Sequence, residues 1–279
     1  MSYKTILVHA DGSPQAAQRI RLAARLALAH DAHLVGAAMT GLSRHALPDG
    51  SIVPIGTPYP FDLRLLRSRA EAALTQFADC ASHMGLPSFE ARLVDDAMDD
   101  GLLLQSPYAD LLVLGQGDPK GHADDLLSRL PQDVMFQCAR PLLIVPHAGQ
   151  FELVGDHILV GWDASVSATH ALTAALPMLR RAARVTLAVD ASGSQHGRRI
   201  DLPGAELARY LARHDVRVTL AQLKVGSQAG VALLTMASDV NADLLVMGGY
   251  GHWRLREWML GGATRSVLHD MALPVLMAH

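Results

Sequence analysis

With 279 residues, 50% of them hydrophobic and 18% charged, the chain exceeds one ordinary domain and is not a disordered one; two domains of about 140 residues are expected. A formal net charge of −3 leaves no broad basic face for a nucleic acid. Cys80 and Cys138 are too few and too far apart for a disulfide framework or a thiolate zinc site, as in a reducing compartment.

Met1-Ser2-Tyr3-Lys4 runs straight into an apolar segment with no secretory leader, and no run approaches about 18 apolar residues. A cytoplasmic protein without a membrane partner is expected. Ile6–Ala10 is a short, nearly continuous apolar run closed by Asp11-Gly12, which suits a parallel strand covered on both faces. Ser13-Pro14 reads as an N-cap and first-turn proline, opening a helix to about His30. A strand over 34–39 follows, then 42–62, which is rich in Pro and Gly and reads as a loop. Leu63–Met84 has helical spacing and stops at Gly85. Strands are expected over 89–94, 111–114 and 142–145, with helices over 97–106 and 124–138. Beyond a linker at about 146–156, strands fall near 157–162, 184–189, 216–223, 243–247 and 274–278. Helices alternate with them near 166–181, 203–214, 228–240 and 262–271.

The two halves repeat one another. Residues 6–13 read ILVHADGS and 158–165 read ILVGWDAS; 109–115 read ADLLVLG and 242–248 read ADLLVMG. The closing strands, 141–145 and 274–278, match at the same offset of 133 as the second pair, against 152 for the first. Three matches in one order mean two copies of a domain, 1–147 and 155–279, with 19 extra residues in the first. Alternating strands and helices predict an α/β fold: two tandem doubly wound domains, each a five-stranded parallel sheet with helices on both faces.

After its fourth strand the second copy reads Gly248-Gly249-Tyr250-Gly251, then nine residues, then Gly261-Gly262-Ala263-Thr264 at a helix start. Glycines serve where backbone meets a ligand, and free N–H groups at a helix start attract phosphate. Thr264 offers a hydroxyl, and Arg254, Arg256 and Arg265 offer charge. Neither a P-loop nor the dinucleotide-binding glycine fingerprint is present. Tight turns and close helix–sheet packing explain the same glycines with about half the weight. Asp163, across the crevice, suits ribose hydroxyls and, equally, a turn or cap ahead of the next helix.

These residues resemble the universal stress protein family: the pattern G-x2-G-x9-G before the last helix, the Asp after the first strand and a closing PVL strand. The resemblance spans the chain as two copies, and implies the adenine nucleotide alpha hydrolase-like fold. In ATP-binding members the Asp and the backbone after the second strand hold adenosine, and the glycine loop holds phosphates. By position this implicates Asp163, Val189, Met247, Gly248, Gly251, Gly261, Gly262, Ala263 and Thr264, with ATP as ligand and Mg as its candidate companion. Gly262 stands where a small hydroxyl residue is expected, which removes one side-chain donor, worth about 0.5–1.5 kcal/mol.

The first copy departs further. Asp118 replaces Gly251, Ser128-Arg129 replace Gly261-Gly262, and Pro131 replaces Thr264; only Asp11 and Gly115 persist. It reads as a structural or regulatory domain without nucleotide. His30 and His33 straddle a helix end without a third metal ligand, and solvated histidines explain them better. Ser13 and Ser165 read as helix caps rather than nucleophiles. Trp253, Trp258, Met259 and Leu260 read as packing beneath the loop, and the cysteines as small buried residues.

The resemblance implies an ATP-binding stress-response sensor or adaptor with nucleotide in the second domain. The alternative is a nucleotide-independent interaction module of the same fold. Dedicated catalysis is not implied: at most weak ATP hydrolysis is expected, since the Ser-Gly-Gly loop of related ATP pyrophosphatases follows neither first strand. The apolar fifth strands are expected contact edges, giving an intramolecular pseudo-dimer that can pair again as a homodimer, with a protein partner the sequence does not name.

Overall fold

The structure, a computed structural model, describes residues 2–42, 63–117, 126–190, 194–195, 198–199, 204–223, 229–250 and 262–279. Contacts divide the chain into two compact units.

The first unit comprises Tyr3–Gly115 and Gln132–Arg140. Its elements are β1 (Thr5–His9), α1 (Ala16–His30), β2 (His33–Met39), α2 (Leu63–His83), β3 (Phe89–Val94), α3 (Met98–Gln105), a 3-10 turn (Ser106–Tyr108) and β4 (Leu111–Gly115); the end of α4 (Leu126–Gln137) also belongs to it. The strands run parallel in the order β4-β1-β2-β3. Ile6, Leu7, Val8, Leu34, Leu111 and Leu112 are buried, as continuous apolar runs in a covered parallel sheet must be. Helix α2 turns Ala70, Ala73, Phe77 and Ala81 inward at helical spacing. Helix α1 starts at Ala16, two residues later than the Ser-Pro signal suggests, and the Ser13 hydroxyl donates to the Asp11 carboxylate.

The second unit comprises Gln116–Pro131 and Pro141–His279, with Met1–Ser2. It contains β5 (Leu142–Val145), β6 (His157–Trp162), α5 (Val166–Leu179), β7 (Arg184–Asp190), a short hairpin of β8 (Ser194–Gln195) and β9 (Arg198–Arg199), and α6 (Ala205–Ala212). Then come β10 (Thr219–Leu223), α7 (Ala229–Asp239), β11 (Leu244–Gly248), α8 (Gly262–Asp270) and β12 (Val275–Ala278). The order β10-β7-β6-β11-β12 is parallel throughout. Strand β5 joins β12 antiparallel, with Ile144 opposite Val275 and Leu142 opposite Met277.

The repeated ADLLV segment has a structural cause. In the first unit Asp110 Oδ2 accepts the backbone N–H groups of Lys4 and Thr5 at 2.7 and 3.0 Å. In the second, Asp243 accepts those of Gly155, Asp156 and His157 at 2.7–3.1 Å. Each carboxylate pins the start of one strand to the start of its neighbour. Both units are α/β folds with mostly parallel sheets. Among the described residues no helix is long and apolar enough to cross a membrane.

Candidate functional site

In the second unit β7 lies on one side of β6 and β11 on the other, with Trp162 opposite Val189 and Val160 opposite Val246. Strand order therefore reverses between β6 and β11, and the crevice at the carboxyl ends of these strands is where open parallel sheets take ligands. Asp163 follows β6 and Gly248 ends β11, so both stand at that reversal.

Asp163 is exposed. Its Oδ1 accepts the Ser165 N–H at 2.9 Å across Ala164, which has a left-handed φ of +59°. Ser165 caps α5, its Oγ accepting the Ala168 N–H at 3.1 Å. The turn reading of Asp163 thus holds, and it occupies only one carboxylate oxygen among the described residues. Val189 and Met247 are buried near the ends of β7 and β11.

Two glycines separate the packing and ligand readings. A Cβ at Gly248 would lie 2.5 Å from the Ala168 nitrogen and 2.6 Å from Ser167 Oγ, so close approach to the start of α5 requires this glycine. A Cβ at Gly262 would meet nothing within 4 Å, so packing among the described residues does not require it. Gly262, Ala263 and Thr264 form the first turn of α8. Thr264 is buried, and its Oγ1 accepts the Tyr250 N–H at 3.1 Å, which ties the exit of β11 to the start of α8. Arg265 is exposed. Gly251 and Gly261, with Trp253, Arg254, Arg256, Trp258, Met259 and Leu260, lie outside the described residues, as does nearly all of 42–62. The structure therefore brings Asp163, Val189, Met247 and Gly248 to one sheet edge, and joins α8 to that edge through Thr264.

The equivalent crevice of the first unit lies between β1 and β4, at Asp11 and Gly115. A buried arginine that sequence reading passed over stands there. Arg19 Nη2 is 3.0 Å from Asp11 Oδ2, and Arg19 Nε donates to the His9 carbonyl at 2.8 Å. Its Nη1 would be 2.5 Å from a Cβ at Gly115, so the guanidinium lies flush against that backbone. Asp11 Oδ1 accepts from Ser13 N and Oγ, and His9 Nδ1 lies 3.5 Å from Asp11 Oδ2. Burial, reinforced by the Arg19 charge and opposed by Asp11, pushes the His9 imidazole down to about 4, so it is neutral at pH 7. Burial alone would raise the Asp11 carboxyl; Arg19, His9 and the Ser13 bonds outweigh it and hold the group at about 2. The available signal was the repeat itself, since Gly161 and Ala171 stand where His9 and Arg19 would recur at offset 152.

Of the other candidates, His30 is buried against Tyr3, ring centroids 4.9 Å apart, rather than solvated. His33 turns elsewhere, to Ser88 Oγ at 2.7 Å, so the two histidines share no ligand geometry. Among the described residues no three His, Cys, Asp or Glu side chains cluster as a metal site. Cys138 is buried and Cys80 half-buried; both are free thiols, and burial raises that of Cys80.

Residues 155–279 match the family model described as the universal stress protein family. The universal stress protein Slr1230 of Synechocystis sp. is 27% identical over 170 residues, which span 60% of this chain and 57% of that protein. The chain thus matches little more than half the length of that relative. The crystal structure of a universal stress protein from Archaeoglobus fulgidus superposes with a TM-score of 0.74 over 98% of this chain and 95% of that one, at 16% identity, a likeness of fold. The second half of this chain, residues 155–279, is thus a domain of the universal stress protein family.

Proposed function

We propose that this protein binds one adenine nucleotide, ATP, in the crevice of its second copy (155–279) and acts as a stress-response sensor or adaptor. The observation that carries this reading is the contrast between two equivalent carboxylates. Asp163 is exposed at the strand-order reversal with one oxygen committed to its own turn, whereas Asp11 is committed to Arg19 and Ser13. Asp163 would accept the ribose hydroxyls and backbone near Val189 and Met247 would flank the base. The N–H groups of Gly248, Gly251, Gly261, Gly262 and Ala263, with the Thr264 hydroxyl, would receive the phosphates, with Mg as companion cation. The first copy (1–147) then serves as a structural or regulatory domain. Dedicated catalysis is not part of this reading.

The alternative, a nucleotide-independent interaction module, draws support from Gly248, whose missing Cβ already has a packing reason. Mass spectrometry of the freshly purified, denatured protein separates the two readings by detecting retained nucleotide. Calorimetry then expects one ATP per chain, with at least tenfold weaker binding for Asp163→Ala, about 1.4 kcal/mol or more. Absence of binding to the wild type at millimolar ATP would leave the interaction module standing.

A further inference from the structure

Both units place the same two features at their strand-order reversal: an aspartate after the first strand and a glycine at the end of the fourth, Asp163 with Gly248 and Asp11 with Gly115. What lies between them differs. In the second unit, residues 161 and 171 are glycine and alanine, which send no side chain beyond Cβ. In the first, His9 and Arg19 occupy those positions, and both are buried. The guanidinium reaches from the Asp11 carboxylate on one wall to the Gly115 backbone on the other.

Such a position is costly for a cation unless a counter-charge offsets it. Burying an arginine on helix α1, where it could have pointed to water, requires an ion pair and hydrogen bonds to offset desolvation. The Asp11 carboxylate supplies the ion pair at 3.0 Å and the His9 carbonyl a hydrogen bond to Nε at 2.8 Å, while Nη2 makes no hydrogen bond among the described residues. The aspartate that in the second copy faces solvent is consumed, and the glycine surface beside it is covered.

We propose that Arg19 is the built-in occupant of the first unit's crevice and the residue that excludes a nucleoside from it. The inference rests on the nucleotide reading of the second crevice and adds the determinant that confines the ligand to one copy. It does not depend on the degenerate phosphate loop, because it concerns the Asp–glycine gap. A ligand without phosphates therefore tests it.

Adenosine is titrated calorimetrically against the full-length wild type and the double variant His9→Gly with Arg19→Ala, which restores the second copy's residues. Circular dichroism monitors the fold of each protein. One adenosine per wild-type chain and two per double variant are expected. A folded double variant that still takes one overturns the inference. A wild type that takes none at millimolar adenosine counts against the nucleotide reading instead, and the role of Arg19 is then decided on Asp11. In Arg19→Met, which keeps the volume and removes the charge, carboxyl ¹³C NMR should show Asp11 titrating at least one pH unit above its wild-type midpoint. The same measurement decides the matter if the double variant does not fold. An Asp11 midpoint unchanged in Arg19→Met overturns the inference.

Discussion

Thr264 Oγ1 accepts the backbone N–H of Tyr250 at 3.1 Å, fourteen residues apart in sequence. Tyr250 has a φ of +51°, a left-handed conformation that a non-glycine residue holds only when something fixes it. The hydroxyl therefore anchors the end of β11 to the first turn of α8. Thr264→Val, equal in size, should cost about 1–2 kcal/mol by leaving the N–H without that acceptor. Thr264→Ser should retain most of the stability. Thermal unfolding of the three proteins checks this, and a valine variant as stable as wild type would remove the anchor from the account.

The two glycines of the same site should respond in opposite ways. Gly248→Ala drives a methyl to 2.5 Å from the Ala168 nitrogen, and overpacking of this kind costs about 1–3 kcal/mol. Gly262→Ser meets no neighbour among the described residues and should leave stability unchanged. If ATP binds as proposed, the added hydroxyl should tighten it up to about tenfold, the value of one hydrogen bond. Denaturant titration and calorimetry of both variants provide the comparison.

Acid should weaken the first unit in two stages. The folded His9 imidazole resists protonation until about pH 4, whereas the unfolded one takes a proton near its ordinary 6.5. The unfolded state thus binds more protons between these values, and stability is lost as pH drops through that window, by up to about 1.4 kcal/mol per unit. Asp11 acts in the next window. Its folded carboxyl stays ionised down to about 2 while the unfolded one protonates near 3.8, so its pairing with Arg19 is present above pH 4 and lost toward pH 2. Urea unfolding at pH 7, 5 and 3 should trace both stages. His9→Asn should flatten the first stage alone, and an unflattened curve would assign it to other groups.

Helix α8 is held at its far end by Gln116. The Gln116 Nε2 donates to the carbonyls of Leu268 and His269 at 2.8 and 3.0 Å, and its Oε1 accepts the His147 N–H at 2.8 Å. Gln116→Leu keeps the bulk and loses all three bonds, so a cost of about 1–2 kcal/mol is expected, part of it from carbonyls at a helix end left to water. Hydrogen exchange should speed up in α8 before it does in α5. Unchanged protection of α8 would show that the helix does not need this clamp.

The alternation of elements was legible because each signal is local. Apolar runs such as Ile6-Leu7-Val8 and Leu244-Leu245-Val246 suit strands covered on both faces, and they are buried as expected. The belonging of the two halves to one kind of fold was legible in the ADLLV repeats, whose aspartates pin strand starts in both units. Signals with two local outcomes were less readable. Ser13 could cap α1 or bond Asp11, and it does the latter; Ser165, in the matching position, does cap its helix. The two-residue strands β8 and β9 have too short a pattern to announce themselves.

At the candidate site the division falls along range. Asp163 and the glycine spacing are properties of short segments, and composition with repeat offsets sufficed to single them out. The commitment of Asp11 depends on a partner on the next helix, and an arginine within Gln18-Arg19-Ile20-Arg21 looks like any solvated residue until α1 is laid against β1 and β4. Whether Gly248 serves packing depends likewise on how near Ala168 comes, a distance that no local pattern encodes. Periodicity and turn chemistry are set by neighbours in the chain, so the sequence by itself determined the elements and their order. Desolvation, ion pairing and van der Waals approach are set by neighbours in space, so only the tertiary structure decided which aspartate remains exposed and which is already paired.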